Sequence, residues 1–308
     1  MMTYSDIPSP PVTLAVLICT YNRADLLRQC LQALLQRSAA LPDQVVIVNG
    51  GDERADDVVR DFAQRSPIRI DLIKTVNRNL AASRNVGLPY CQGDIIAMTD
   101  DDAEVFPDWI MQLKRLHALH PAAGAIGGAV IGSDSKSLLS RIADQVTFSA
   151  YATARAVRTL PGVNVSYKRT VVEQVGPQDE TLFRGEDVDY NWRAKQLGYE
   201  IYYDPAVRVL HHHRPTFRAF LRQHYMYGRA YYLVRRKWPE MYCVYPHQLR
   251  RPKDFLKALN FMAAVMYEPL LSAGKLAALK DRLAAYPVML LNQIAWRGGM
   301  VRQKMIGS

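Results

Sequence analysis

Short apolar runs alternate with segments of helical spacing through the first hundred residues. The apolar runs have the length of strands and are rich in Val, Ile and Leu; they cover residues 12–19, 44–48, 69–74 and 94–99. Helical spacing covers residues 22–35, 56–64 and 79–85, and Asn22 stands where a capping residue of the first helix belongs. This alternation predicts an α/β fold with an open, mostly parallel sheet flanked by helices.

The pattern after residue 104 is less regular. Strand-like runs cover residues 124–132, 164–168, 200–203 and 207–210. Val188, Trp192 and Leu197 form a helical stripe that Gly198 can close in a left-handed conformation. Helical patterns dominate from Thr216 onward, so the second half is predicted to add short strands and then helices.

Two apolar segments, 258–267 and 283–296, lie near the C-terminus. Charged residues interrupt both segments, Pro287 falls inside the second, and neither reaches the roughly 18 to 20 apolar residues that a spanning helix needs. We therefore predict a helical extension rather than a transmembrane segment. Its helices either pack on the sheet domain or lie in a membrane interface, and the spacing fits both.

Polar loops follow three of the predicted strands, at the sheet edge where open α/β folds bind ligands. The fourth strand ends in Asp100, Asp101 and Asp102. In an extended segment Asp100 and Asp102 share a face and Asp101 points the other way. Their hard oxygen ligands favour Mg²⁺ or Mn²⁺. The alternative is that they cap the helix that begins after Asp108.

Composition is that of a folded enzyme rather than a disordered chain. The 308 residues are 49% hydrophobic and 22% charged. Four cysteines, Cys19, Cys30, Cys91 and Cys243, have neither metal-binding nor disulfide-framework spacing. No secretory signal is visible, because the first apolar run is short and lacks a basic leader or a small-residue cleavage site. We therefore expect a reducing, cytoplasmic compartment.

The net charge of +10 is unevenly distributed. Residues 208–251 are rich in arginine interleaved with tyrosine and tryptophan. No nucleic-acid-binding motif accompanies this stretch, so phosphates of a small ligand or an anionic membrane surface are the expected partners. Basic residues farther along, including Arg250 and Lys257, favour peripheral contact at the cytoplasmic face of a membrane.

Taken in order, the motifs resemble the family 2 glycosyltransferases of GT-A fold. They are Thr20-Tyr21-Asn22-Arg23, a Gly-Gly turn after the second strand, Ala82 to Gly87, the three aspartates, Gly185 to Asp189, Val209 to His213 and Tyr227 to Ala230. The resemblance covers about residues 12–237. As an ordered set these motifs are specific, although each alone is weak.

The resemblance implies an inverting transfer of sugar from a nucleoside-diphosphate sugar to an acceptor hydroxyl. It implies Asp187 as the base with Glu186 beside it, and a divalent metal, Mn²⁺ or Mg²⁺, held by Asp102, Asp100 and His211, with His213 as the alternative histidine. Donor contacts are implied for Thr20, Tyr21, Asn22, Arg23, Asn49, Asp52, Arg84, Asp100 and Asp101. The acceptor would be a glycan or a lipid-linked saccharide.

Two departures from the family pattern affect substrate and mode of action. Asn49 stands where the family commonly has an aspartate that binds the nucleobase, with Asp52 three residues later. The base is therefore open, with UDP as the default donor nucleotide. No intact Gln-x-x-Arg-Trp motif of processive members is found, which favours single additions.

The predicted organisation is a catalytic domain over residues 1–237 and a helical extension over 238–308. Within the domain, residues 12–103 would bind the nucleotide sugar and residues 104–237 the acceptor. The alternatives are a sugar-phosphate nucleotidyltransferase and an inactive nucleotide-sugar-binding module. The first should open with a glycine-rich phosphate loop, which Thr20-Tyr21-Asn22-Arg23 is not.

Overall fold

A computed structural model describes residues 12–134, 136–148, 150–214, 216–241 and 251–307. Cys243 and Arg250, for which we made predictions, lie outside these ranges. The strands are β1 (Leu14–Thr20), β2 (Gln44–Asn49), β3 (Arg69–Lys74), β4 (Ile95–Asp100), β5 (Ala103–Val105), β6 (Ala123–Gly132), β7 (Arg155–Ala156), β8 (Val165–Lys168) and β9 (Glu200–His211). The helices are α1 (Ala24–Leu35), α2 (Glu53–Arg65), α3 (Leu80–Gly87), α4 (Trp109–Leu119), α5 (Leu138–Thr147), α6 (Arg169–Val175), α7 (Glu186–Gln196), α8 (Phe217–Lys237), α9 (Pro252–Gly274) and α10 (Leu279–Ile306).

The strands of the described ranges form one sheet in the order β3-β2-β1-β4-β8-β6-β9-β5, with β7 paired to β9. The half from β3 to β4 is entirely parallel. Beyond β4 the sheet is mixed, because β8 runs antiparallel to both β4 and β6, while β6 and β9 are parallel. This α/β sheet with flanking helices confirms the predicted fold class.

Both faces of the sheet are buried, which explains the continuous apolar runs. In β1, Leu14, Val16 and Ile18 belong to one hydrophobic cluster, while Ala15 and Leu17 belong to another on the opposite face. Helices cover each face, as a parallel sheet requires. The carboxyl ends of β1, β2 and β4 therefore meet at one polar edge.

Two local predictions were wrong. The runs 200–203 and 207–210 belong to one strand, β9, because an irregularity between Asp204 and Arg208 lets the pairing with β6 continue. Asn22 does not cap α1; Arg23 is the flanking residue, and Asn22 adopts a positive φ of 54°. Its side-chain oxygen instead accepts a hydrogen bond from the Asp52 N–H at 2.9 Å.

The C-terminal helices form an extension that packs against the sheet domain. Phe220 of α8, Ile142 of α5, and Ala273 and Met289 of α9 and α10 share a hydrophobic cluster. Gly228 and Gly299 let α8 and α10 approach closely, since an added Cβ would lie 1.7 Å from the Trp296 oxygen or 2.0 Å from the Tyr225 oxygen. Among the described residues, no helix combines the length and apolar character needed to cross a membrane.

A buried histidine on α4 predicts acid sensitivity. His117 Nε2 lies 2.9 Å from Ser166 Oγ, and burial lowers the pKa of this imidazole from 6.5 to about 3. Between these values the unfolded chain binds the additional proton, so folding stability falls as pH falls. This one group should remove roughly 2 kcal/mol of stability between pH 7 and pH 5.

The free energy of unfolding in urea at both pH values tests this expectation. His117→Leu removes the titrating ring, while Ser166 Oγ keeps its hydrogen bond to the Ile126 carbonyl. Whatever its stability at pH 7, the variant should lose less stability than the wild type on acidification. Equal losses in the two proteins would contradict the assignment.

Candidate active site

A cavity of about 320 Å³ lies at the polar edge of the sheet, and we call it the first cavity. Its walls come from the end of β1, from α3, from the end of β4, from the beginning of α7 and from the end of β9. Predicted site residues in the wall are Thr20, Tyr21, Arg23, Arg84, Asp100, Asp101, Asp102, Glu186, Asp187 and His211. The fold thus brings together residues from both halves of the chain.

Arg84 joins the two halves at the base of this cavity. Its Nη2 lies 3.1 Å from Asp100 Oδ1 and its Nη1 lies 3.0 Å from Glu186 Oε1. The guanidinium is buried, so each carboxylate partly compensates a charge that water cannot reach. Because both of its ends are occupied, Arg84 positions Asp100 and Glu186.

Arg23 holds the other two aspartates. Its Nη1 lies 2.9 Å from Asp101 Oδ1 and 2.8 Å from Asp102 Oδ2, and Thr20 Oγ1 donates to Asp101 Oδ2 at 2.8 Å. The prediction that Asp101 points away from Asp102 was wrong. The strand ends at Asp100, and the turn that follows carries both later side chains to the same guanidinium.

The aspartates differ in electrostatic character. Burial raises the pKa of Asp101 to about 6 and also raises the pKa of Asp100. Burial opposes ionisation of Asp102 too, but the hydrogen bond and charge of His211, together with Arg23, hold its pKa down at about 2. Asp102 is therefore the aspartate of the cluster that keeps its negative charge most readily.

Asp102 and His211 are the pair that fits a divalent ion. Asp102 Oδ1 lies 3.5 Å from His211 Nε2, close to the roughly 3 Å that separates two neighbouring ligands in an octahedral shell of about 2.1 Å radius. No three His, Cys, Asp or Glu side chains of the described residues converge as a complete ligand set. The predicted trio is therefore not assembled, since Asp100 is paired with Arg84.

The other two histidines of the run each pair with an acidic residue outside the aspartate cluster. His213 Nε2 lies 2.7 Å from Asp144 Oδ1 on α5, and His212 Nε2 lies 2.8 Å from Glu104 Oε1 on β5. Only His211 of the three lines the first cavity. The geometry thus favours His211 over the alternative that we kept open.

Asp187 stands at the N-terminus of α7, directly after Gly185 and Glu186. Gly185 has a φ of +79°, a conformation that suits glycine and turns the chain into the helix. The Asp187 carboxylate accepts hydrogen bonds from the Gly162 N–H at 2.9 Å and the Val188 N–H at 2.8 Å. Burial, and next the charge of Asp187, raise the pKa of Glu186 to about 7.

Three predicted donor residues lie outside the lining of the first cavity: Asn22, Asn49 and Asp52. Asn49 is fully buried, donates to the Asp52 carbonyl and Asp56 Oδ1, and accepts from the Gly51 N–H. Its amide is therefore occupied within the fold. Asp52 Oδ1, in contrast, is a buried atom without a hydrogen-bond partner among the described residues.

A larger, second cavity of about 840 Å³ adjoins the first. The two share Phe148, Pro161, Gly185, Asp187 and Tyr227, so Asp187 stands at their junction. The second cavity extends between the sheet domain and the helices α8, α9 and α10. Its aromatic lining residues are Phe148, Tyr151, Tyr203, Tyr227, Tyr231, Phe261 and Trp296.

Sequence reasoning missed several residues at these sites. Arg184, Arg214 and Tyr227 line the first cavity, and Arg214 Nη2 lies 4.0 Å from Asp102 Oδ2. The only available signal was their position inside or next to motifs that we had identified. Asp189, the last acidic residue of its motif, has a structural role, since it accepts from Trp238 Nε1 and pairs with Lys237, both at 2.7 Å.

Comparison with known proteins places these motifs in a family. The family profile described as Glycosyl transferase family 2 matches residues 15–176. A glucosyl-dolichyl phosphate glucuronosyltransferase of Haloferax volcanii is 27% identical over 64% of this chain and 66% of its own length. A pre-mycofactocin glycosyltransferase of Mycobacterium tuberculosis is 29% identical over 48% of this chain, a match that spans 33% of that relative.

Solved structures show the same fold. A mannosyltransferase of Pyrobaculum calidifontis in complex with GDP-Man and Mn²⁺ superposes with a TM-score of 0.65 at 18% identity, over 98% of this chain and 89% of that one. GalNAc-T7 with UDP, GalNAc and Mn²⁺ superposes with a TM-score of 0.53 at 13% identity, over 66% and 43%. These likenesses confirm the GT-A fold class. The matched family profile covers more than half of the chain, so this chain belongs to glycosyl transferase family 2.

Proposed function

We propose that the enzyme transfers a sugar from a nucleoside-diphosphate sugar to an acceptor hydroxyl, with inversion at the anomeric carbon. The observation that carries this proposal is the position of Asp187 at the junction of two cavities. One contains the carboxylate and arginine cluster suited to a charged donor, and the other is lined largely by aromatic and polar side chains, with Glu268, Lys275 and Arg297 as further charged groups. A donor and an acceptor can therefore reach the same carboxylate from opposite sides.

The first cavity suits the donor. Arg23 and Arg214 lie beside Asp102, where their charges can stabilise a diphosphate. Thr20 and Tyr21 follow β1 and would contact the nucleoside, near Asn22. We assign the nucleobase contact to Asp52 instead of Asn49, because Asp52 Oδ1 is unpartnered whereas the Asn49 amide is occupied. UDP stays the default nucleotide.

Asp102 and His211 would hold the divalent ion, Mn²⁺ or Mg²⁺. Two protein ligands suit such an ion when substrate phosphates and water complete its shell. When bound, the ion would neutralise negative charge on the departing diphosphate. The two similar structures contain Mn²⁺ together with a nucleotide or nucleotide sugar, which supports the assignment.

Asp187 would act as the base. As the acceptor oxygen bonds to the anomeric carbon and the bond from that carbon to the diphosphate breaks, Asp187 takes the hydroxyl proton. A single displacement inverts the configuration. Glu186, held by Arg84, would orient the acceptor, and Asp100 would support Arg84 from the donor side.

The two cavities suggest which parts of the chain bind the donor and which bind the acceptor. We propose that residues 12–103 bind the nucleotide sugar, with His211 and Arg214 added at the metal and diphosphate, and that residues 104–237 otherwise bind the acceptor. The extension after residue 237 contributes α9 and α10 to the second cavity. That cavity would take a glycan or the saccharide of a lipid-linked acceptor, one addition at a time. Three free cysteines among the described residues support a reducing, cytoplasmic site of action.

Release of nucleoside diphosphate from a panel of sugar nucleotides, with Mn²⁺ present, tests the proposed function. The transferase should release nucleoside diphosphate from at least one UDP- or GDP-sugar, and faster when acceptor saccharides are added. A nucleotidyltransferase would instead form a sugar nucleotide from nucleoside triphosphate and sugar phosphate. An inactive binding module would show a donor-dependent rise in melting temperature without turnover.

A further inference from the structure

One face of α9 is apolar and exposed along most of its length. Phe255, Leu259, Met262, Met266 and Leu270 follow at intervals of three or four residues, and each is between 55% and 67% exposed. This spacing keeps one face of an α-helix. Such a continuous apolar stripe is uncommon on the surface of a soluble monomer.

The helix α10 carries a second stripe. Leu279, Leu283, Leu291, Ile294, Val301 and Met305 are all exposed, by 46% to 73%. Pro287 and Gly298 occupy the remaining positions of the same face and are exposed as well. The stripe therefore extends over nearly the whole helix without a charged residue in its register.

These stripes are not the faces by which the two helices pack. On α9, Phe261, Glu268, Ser272 and Lys275 line the second cavity, and their spacing places them on the side opposite the stripe. On α10, Trp296 and Gly299 make the close approach to α8. Packing onto the catalytic domain therefore explains one side of each helix and leaves the apolar stripes exposed.

Basic residues are concentrated near the ends of the two helices that carry the stripes. Residues 251–307 contain nine Lys and Arg and three Asp and Glu, a net charge of +6 out of +10 for the chain. Lys253 and Lys257 stand near the start of α9, Lys275, Lys280 and Arg282 at the turn between the helices, and Lys304 near the end of α10; all are exposed. Anionic lipid headgroups complement this arrangement.

A second copy of the chain fits this surface less well. A twofold interface through the stripes would place the same basic residues of both copies along one contact, where like charges repel. A lipid surface supplies apolar chains and opposite charge together. Amphipathic helices with apolar and basic surfaces bind membranes in this way.

We propose that the α9–α10 hairpin docks on an anionic membrane through its two apolar stripes, with the basic residues at the headgroups. This inference does not depend on the proposed reaction. It adds a consequence for the second cavity, because α9 would separate that cavity from the lipid surface by the width of one helix. An acceptor anchored in the same membrane would then be delivered near Asp187.

Vesicle flotation of the full chain tests the proposal. One set of vesicles contains phosphatidylcholine alone. The other contains phosphatidylcholine and the anionic lipid phosphatidylglycerol at a ratio of about 7:3. We expect flotation with the anionic vesicles at low salt and less flotation at high salt. Leu259→Glu combined with Met266→Glu should reduce the bound fraction at least about tenfold, and Leu291→Glu with Val301→Glu should do the same.

Gln29→Glu combined with Gln64→Glu is the matched control, because it adds the same two negative charges at exposed positions of α1 and α2. This control should float like the wild type. Circular dichroism and nucleoside diphosphate release, measured without vesicles, establish that the stripe variants are folded. If neither the wild type nor any variant releases nucleoside diphosphate, the proposed function is refuted. The docking result can still be read in that case, because circular dichroism shows whether the variants are folded.

Three outcomes would overturn the docking proposal. The first is a wild type that does not float with anionic vesicles at low salt, and the second is a pair of stripe variants that float as well as the control. The third is a dimer of the wild type, measured by light scattering, that the stripe substitutions dissociate, which would assign the surface to a second copy.

Discussion

Asp187→Asn is expected to lower sugar transfer by roughly 10²- to 10⁴-fold, the contribution of a general base. The substitution keeps the shape of the side chain and removes the proton acceptor. Donor binding should change little, because Asp187 lies at the junction of the cavities and contacts the Gly162 and Val188 N–H groups rather than the arginines. Initial rates with saturating donor and acceptor measure the effect.

Controls separate the base from a structural role. The asparagine amide would face one of the two backbone N–H donors, so the melting temperature of the variant should be recorded. Asp57→Asn, on the exposed surface of α2, makes the same change of charge and should leave transfer unchanged. If Asp187→Asn weakens donor binding while turnover at saturation persists, Asp187 is a binding residue and the assignment is wrong.

Exhaustive chelation is expected to abolish sugar transfer, and Mn²⁺ or Mg²⁺ to restore it. The reason is that negative charge develops on the departing diphosphate, and a divalent ion held by Asp102 and His211 would stabilise it. Transfer before and after chelator treatment measures the requirement. Full activity after treatment would refute metal dependence.

Two neighbouring histidines provide a matched comparison for the metal site. His211→Gln should raise the Mn²⁺ concentration needed for half-maximal activity at least about tenfold. His213→Gln changes a ring that contacts Asp144 outside the first cavity, so this requirement should stay the same. Mn²⁺ binding in the presence of UDP, followed by electron paramagnetic resonance, gives a readout that does not depend on turnover.

The chain pattern predicted the elements well where a local signal exists. The bounds of β2 and β3 agree with their apolar runs within one residue. The helix predicted over residues 79–85 is α3, and Asn79 caps it with its side chain. Failures occurred where a distant partner decides the conformation. Asn22, for example, gives its oxygen to Asp52, a residue on another loop, instead of to its own helix.

The candidate site was predicted as a set of loops but not as a set of contacts. Parallel strands bring their carboxyl ends to one edge of the sheet, so the positions of Thr20, Arg23 and the three aspartates predicted that they lie near each other. Their positions did not predict which side chains form ion pairs. Arg84 forms ion pairs with Asp100 and with Glu186, and Glu186 lies 102 positions farther along the chain. The residues next to Arg84 in the sequence do not indicate that partner.

The sequence by itself determined the fold class, the family and the sheet edge at which the candidate site lies, because apolar periodicity and ordered motifs are local properties of the chain. Only the tertiary structure decided which polar groups are occupied. It buried the Asn49 amide in hydrogen bonds, left Asp52 Oδ1 unpartnered and tied Asp100 to Arg84. It also decided the state of the C-terminal stripes, since helical spacing of apolar residues is the same for a core and for an exposed face. The difference lies in what packs against each face, and that depends on contacts between segments far apart in the chain.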